Sequence, residues 1–255
     1  MASLNRSAKA GSDWTFDDLR AYNITIEPRD FGTFFGQPLP SLQPSELLTK
    51  KLADEMTSVE NYQVIRLMDL AMDRVPNQES NVAQFMEKLF AALGYESLAK
   101  SVLLRQQIPL FICGESRYAT ADVCIADMSE ILLVIQEDKR HMDSGDPDPQ
   151  LIAVAVAAFQ FNNYRRTRVL NEPALTSKVI AGITMLGTAP TFFKIPITQD
   201  LASAVELGEY PATQTVITRH LPDIPRPSYR VAEGMVSLDN REVIFTCFEA
   251  FKQFV

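Results

Sequence analysis

The chain has 255 residues, 24 basic and 32 acidic side chains, a formal net charge of −8 and 46% apolar residues. That is enough apolar material for a real core, which excludes wholesale disorder. The acidic balance excludes a broad basic surface that would hold nucleic acid by bulk charge. The longest unbroken apolar run, residues 151–159, is about half of the ~20 residues a bilayer crossing needs. The first 13 residues have no apolar segment of the secretory kind. Cys113, Cys124 and Cys247 are an odd set without CxxC spacing, and His141 and His220 are the only histidines, which argues against a disulfide framework and against a zinc centre. The expectation is an intracellular protein, cytoplasmic or nuclear, with no membrane association and no secretion signal.

In chain order, residues 1–12 are small and polar. Residues 14–24 carry aromatic and aliphatic anchors that should pack on the body, and residues 28–44, rich in Pro, Gly and Phe, read as an extended drape. Ser45 caps an expected helix over 46–56, and another follows over 59–75, ended by Pro76. A helix over 80–93 follows from Val82, Phe85, Met86, Leu89, Phe90 and Leu93, with Gly94 as its stop. Three strands, 101–115, 119–126 and 130–138, are joined by turns short enough for antiparallel hairpins. A polar loop (142–149) leads to a helix over 150–166. Strands are expected at 178–186, 191–197 and 213–219, and an amphipathic helix at 240–254. The order of elements predicts an α/β chain, a mixed β-sheet flanked by helices, with residues 1–75 as an N-terminal extension and helical subdomain and 76–255 as the core.

The chemistry concentrates at the end of the third strand, in Gln136-Glu137-Asp138-Lys139. Alternation puts Glu137 and Lys139 on one face, and a hairpin register can set Asp122 of the preceding strand opposite Glu137. Two converging carboxylates are hard-oxygen ligands suited to Mg²⁺ or Mn²⁺, and a lysine beside them suits metal-assisted phosphodiester hydrolysis. Chance supplies about one acidic-x-Lys triplet in a chain of this composition, so the context has to carry the reading. Glu79 falls in line with the buried face of the helix that follows it; it is either a further site carboxylate or a helix N-terminal acid favoured by the dipole. Gln160 and Tyr164 are i,i+4 neighbours on the next helix, and Gln160 interrupts an apolar run, where a buried amide wants partners. Arg165, Arg166 and Arg168 read as a solvated helix end or as a phosphate clamp. His141 is a candidate proton carrier of lower rank. Cys124 reads as a small core residue, and His220, before Leu221-Pro222, as a surface loop residue.

Helix with an early Glu79, Asp122 on the second strand, Glu137-x-Lys139 on the third, then a helix with Gln160-xxx-Tyr164: this order resembles the PD-(D/E)XK nuclease superfamily, with its restriction-endonuclease-like fold. The Gln160/Tyr164 pair is similar to the motif of its RecB-type branch. The resemblance spans residues 79–197, and the family's proline before the aspartate is Ala121 here. It implies that Asp122 and Glu137 bind Mg²⁺ or Mn²⁺, that Lys139 assists the attacking water, and that Glu79 supports the site. By the same likeness Gln160 and Tyr164, with Arg165 and Arg166 beside them, contact nucleic acid, DNA ahead of RNA. The competing expectation is a catalytically silent nuclease fold serving as a protein-interaction or regulatory module, with the N-terminal region, including residues 31–35, as a homodimer or partner surface. A metal-dependent nucleotide phosphatase ranks third.

Overall fold

A computed structural model describes residues 6–36, 38–73, 80–137 and 146–255. Its seven strands are β1 (Ile24–Pro28), β2 (Ser101–Ile112), β3 (Glu115–Ala126), β4 (Ile131–Glu137), β5 (Ser177–Leu186), β6 (Ala189–Thr198) and β7 (Thr215–His220). They form one sheet in the order β1-β7-β6-β5-β4-β3-β2. The pairs β4–β5 and β1–β7 are parallel and the other four antiparallel, so the sheet is mixed, as expected. The helices are α1 (Phe16–Ala21), α2 (Phe31–Phe35), α3 (Glu46–Thr49), α4 (Val59–Met72), α5 (Ser80–Ala92), α6 (Pro147–Arg168), α7 (Gln199–Leu207), α8 (Arg230–Glu233) and α9 (Leu238–Phe251).

α6 covers one sheet face. Its run Leu151–Phe159 is buried at every position, which a helix tolerates only when enclosed on all sides. α1 and α7 flank it, and Trp14, Leu19, Tyr22 and Ile24 pack into the same core. Side chains of α4, α5 and α9 fill the other face. β4–α6–β5 is therefore a helical crossover between parallel strands.

The β2–β3 hairpin changes the face it presents partway along. Val102 and Leu104 of β2 pack with the α5 side, whereas Ile108, Leu110 and Ile112, of the same parity, sit under α6. Strict alternation forbids this, and the break falls at Arg105, whose φ is 51°. On β3 the same switch falls between Ala121, under α6, and Val123, on the α5 side. Asp122 occupies the crossing point. The hairpin tip is tighter than expected: Cys113 and Gly114 both take positive φ (51° and 76°), the signature of a two-residue turn that matches strand twist.

Two N-terminal features add to the expectation. Residues 24–28, within the expected N-terminal extension, form an edge strand of the sheet. The single helix expected over 46–56 is instead the four-residue α3 followed by a 3₁₀ turn at Ala53–Glu55. The buried Arg241 guanidinium takes the carbonyls of Leu47 (2.7 Å) and Lys50 (3.0 Å), and the Glu55 carboxylate takes the N–H groups of Lys51 and Leu52. With those groups engaged elsewhere, the helix cannot propagate.

Candidate functional site

Of the four residues expected to form the catalytic group, Asp122 and Glu137 are described; Glu79 and Lys139, like His141, lie outside the described residues. The β3–β4 ladder has Val123 opposite Ile135, so its continuation sets Asp122 opposite Gln136, one position from the register that would face it to Glu137. Asp122 bridges that step with its side chain. Its Oδ2 accepts from Gln136 Nε2 at 2.7 Å and from the Glu137 backbone N–H at 2.8 Å. A carboxylate holding two donors at the end of a ladder is fixed in direction. Glu137 is 9% exposed and shares its parity with Leu133 and Ile135, which face the α5 side. Gln136 has the opposite parity, that of Val134 under α6, and its Oε1 is buried without a hydrogen-bond partner among the described residues. A buried bare amide oxygen costs about 1–3 kcal/mol.

Beside this strand end, Gln136 is in register with Thr184 of β5. Thr184 lines a cleft of about 370 Å³ together with Asp146, Asp148, Thr191, Arg219 and Arg230. The cleft lies outside the carboxyl ends of parallel β4 and β5, where open α/β sheets place ligands. Asp146 caps α6 there, accepting from the Asp148 N–H at 3.0 Å. Arg219 Nη1 donates to Asp148 Oδ2 at 3.2 Å, and Arg230 Nη2 to Thr191 Oγ1 at 3.1 Å. The sequence reading missed Gln136, Arg219 and Arg230. Gln136 was legible only as the neighbour of Glu137, and the arginines reach the strand end only through pairing of β5, β6 and β7.

The expected nucleic-acid contacts are elsewhere. Gln160 lies 13 positions beyond Pro147, about 20 Å along α6 at ~1.5 Å per residue. It accepts from Phe111 N–H and donates to Phe111 C=O, both at 3.0 Å, closing the open edge of β2. Asn162 does the same for Ile131 at the start of β4 (2.8 and 3.0 Å), and Asn163 for Leu175 before β5 (2.7 and 3.1 Å). The polar letters of this helix tie three segments to it. Tyr164 is 58% exposed. Arg165 donates to the Met128 carbonyl at 2.8 Å. Arg166 pairs with Glu130 and with Glu172, each at 3.0 Å, and Lys178 joins Glu130. The two arginines brace the β3–β4 turn, far from Asp122 and Glu137, and Gln160 is a satisfied structural amide. Hydrogen-bonding demand at strand ends and turns therefore accounts for Gln160, Arg165 and Arg166 without a ligand, whereas the exposed Tyr164 has no such role.

Two other residues resolve differently from each other. Cys124 is a buried core thiol, as expected, pushed up to about 12 by burial. His220 is not on a surface loop. It ends β7, is 1% exposed and sits among Phe31, Phe34 and Phe35.

Among the described residues, no group of three or more His, Cys, Asp or Glu side chains is placed to share a metal ion, and no helix is long and apolar enough to cross a membrane. No known family model matches the sequence, and no curated protein is significantly similar to it.

Proposed function

We propose that this chain is a divalent-metal-dependent phosphodiester hydrolase with a restriction-endonuclease-like core, acting on nucleic acid, DNA ahead of RNA. The observation that carries the reading is the Asp122 carboxylate docked on the first residue of Glu137-x-Lys139, within the element order α5-β2-β3-β4-α6-β5 and with β4 parallel to β5. That order is the one the sequence resemblance implies.

The donor set fits a hard cation. Asp122 would supply carboxylate oxygen beside the bare Gln136 Oε1, a neutral oxygen of the kind Mg²⁺ and Mn²⁺ accept, while Glu137, of opposite parity to Gln136, would join only from the α5 side at the strand end. Bound there, such an ion would supply a deprotonated water and stabilise charge on a phosphoryl oxygen. Asp122 is held in direction by Gln136 Nε2 and Glu137 N–H, so it needs no reorganisation to act as a ligand. Lys139 would orient the attacking water, and Glu79 would add a supporting carboxylate. Arg219 and Arg230, at the same strand ends, would offer guanidinium donors to a phosphodiester. The test is incubation of the purified protein with single- and double-stranded DNA and RNA in Mg²⁺, Mn²⁺ or EDTA. Cleavage is expected with metal and none in EDTA; absence of cleavage on all four polymers overturns the reading.

A second reading is favoured by one specific observation. Asp122 Oδ2 already serves two N–H donors, and that alone justifies an aspartate in a catalytically silent, partner-binding member of the same fold.

A further inference from the structure

Away from that strand end, residues 39–49 pass over α9 and line a half-open cavity of about 800 Å³, within the ~300–1,000 Å³ span of small-molecule sites. Its walls are largely apolar in area, with Phe31, Leu42 and Leu48 on one side and Val243 of α9 on the other, interspersed with Ser45, Thr49 and Thr246. His220 and Cys247 form the floor. His220 Nδ1 lies 3.0 Å from the Arg29 carbonyl, which can only accept, so Nδ1 carries the proton and Nε2 faces Cys247 Sγ at 3.8 Å. Burial lowers the His220 pKa and raises that of Cys247, so the floor is a neutral imidazole–thiol pair near pH 7. The charge at this cavity is of one sign. Asp223 and Glu242, both exposed, line it, and among the described residues no lysine or arginine does.

We propose that this cavity is a binding site for a cationic amphiphile, whose single apolar tail lies between Leu42, Leu48 and Val243 and whose ammonium head sits between Asp223 and Glu242. An apolar wall selects the tail, and a rim lined by carboxylates selects the sign of the head. The site is independent of the strand-end chemistry and stands whether or not the chain cleaves nucleic acid.

The test is calorimetric titration of the full chain with decyltrimethylammonium, decyl maltoside and decanoate, each below its micellar concentration. The expected result is one site for the cation, weaker binding of the neutral amphiphile and none of decanoate. The exposed double substitution Asp223→Asn/Glu242→Gln should weaken cation binding about five- to tenfold, as two partly screened charges would. Thr246→Trp, at a half-buried position lining the cavity, should abolish binding of both. Equal binding of decanoate, no heat with any of the three, or unchanged cation affinity in the double variant overturns the proposal. The double variant alters only the rim, so it decides the matter even if the tryptophan variant fails to fold.

Discussion

The Asp122 carboxylate ends the β3–β4 ladder by accepting the Glu137 backbone N–H at 2.8 Å, in place of the carbonyl that would otherwise take it. One side chain therefore does a structural task at the place where the proposed chemistry needs a ligand. Asn and Ala separate the two. Asp122→Ala leaves the Glu137 N–H and Gln136 Nε2 without their acceptor and should cost about 1–3 kcal/mol. Asp122→Asn keeps a carbonyl oxygen to accept and should stay within about 1 kcal/mol of the parent in urea unfolding, yet lose metal-dependent cleavage. An Asn variant that cleaves normally would leave Asp122 a structural residue only.

Gln160 makes the opposite case. Its amide closes both free backbone groups of Phe111 on the edge strand β2, so Gln160→Ala should destabilise the fold by about 1–2 kcal/mol, the net worth of two such bonds. Cleavage per folded molecule should not change. Denaturant melts paired with activity corrected for folded fraction check this, and a selective loss of activity would return Gln160 to the site.

Gly11 fixes the N-terminal segment against the hairpin. A Cβ there would stand 2.6 Å from Ala119 Cβ and 2.9 Å from Ala119 Cα, and backbone of a paired strand cannot give way cheaply. Gly11→Ala is expected to cost about 1–3 kcal/mol by overpacking, read as a lower urea midpoint at unchanged m.

His220 makes stability depend on pH. Burial among the phenylalanines lowers its pKa below the usual value near 6.5, so the unfolded chain takes up a proton before the folded one does. Stability is fully present above about pH 6.5 and declines as pH falls below it. His220→Gln should flatten the stability profile between about pH 7 and 5.5. An unchanged slope in that variant would assign the loss to other groups.

Much of the architecture is legible in the letters. The period of Val82–Phe90, the meander signals from Ser101 to Glu137 and the apolar run Leu151–Phe159 each follow from local patterning, and the sheet is built on them. What escaped the sequence depends on long-range partners. Arg241 breaks the helix after Thr49 from nearly two hundred residues away. β1 exists because β7 offers it an edge. His220 is buried because α2 brings its phenylalanines there. The Gln160–Tyr164 spacing carries no information about whether a glutamine meets a ligand or a strand edge, and here it meets Phe111. The switch of face at Arg105 and Asp122 leaves no trace in alternation short of the fold itself, and the β3–β4 register, with its bulge at Ile125/Ala126, sets Asp122 opposite Gln136 and not Glu137.

The most direct measurement is the Mg²⁺-dependent cleavage rate of a linear duplex by Glu137→Gln and by the parent, at matched thermal stability. The proposed mechanism requires a drop on the order of 10²-fold or more, the scale of removing a charged metal ligand. Cleavage by the Gln variant at the parent rate, or persistent cleavage by the parent in EDTA, would contradict it.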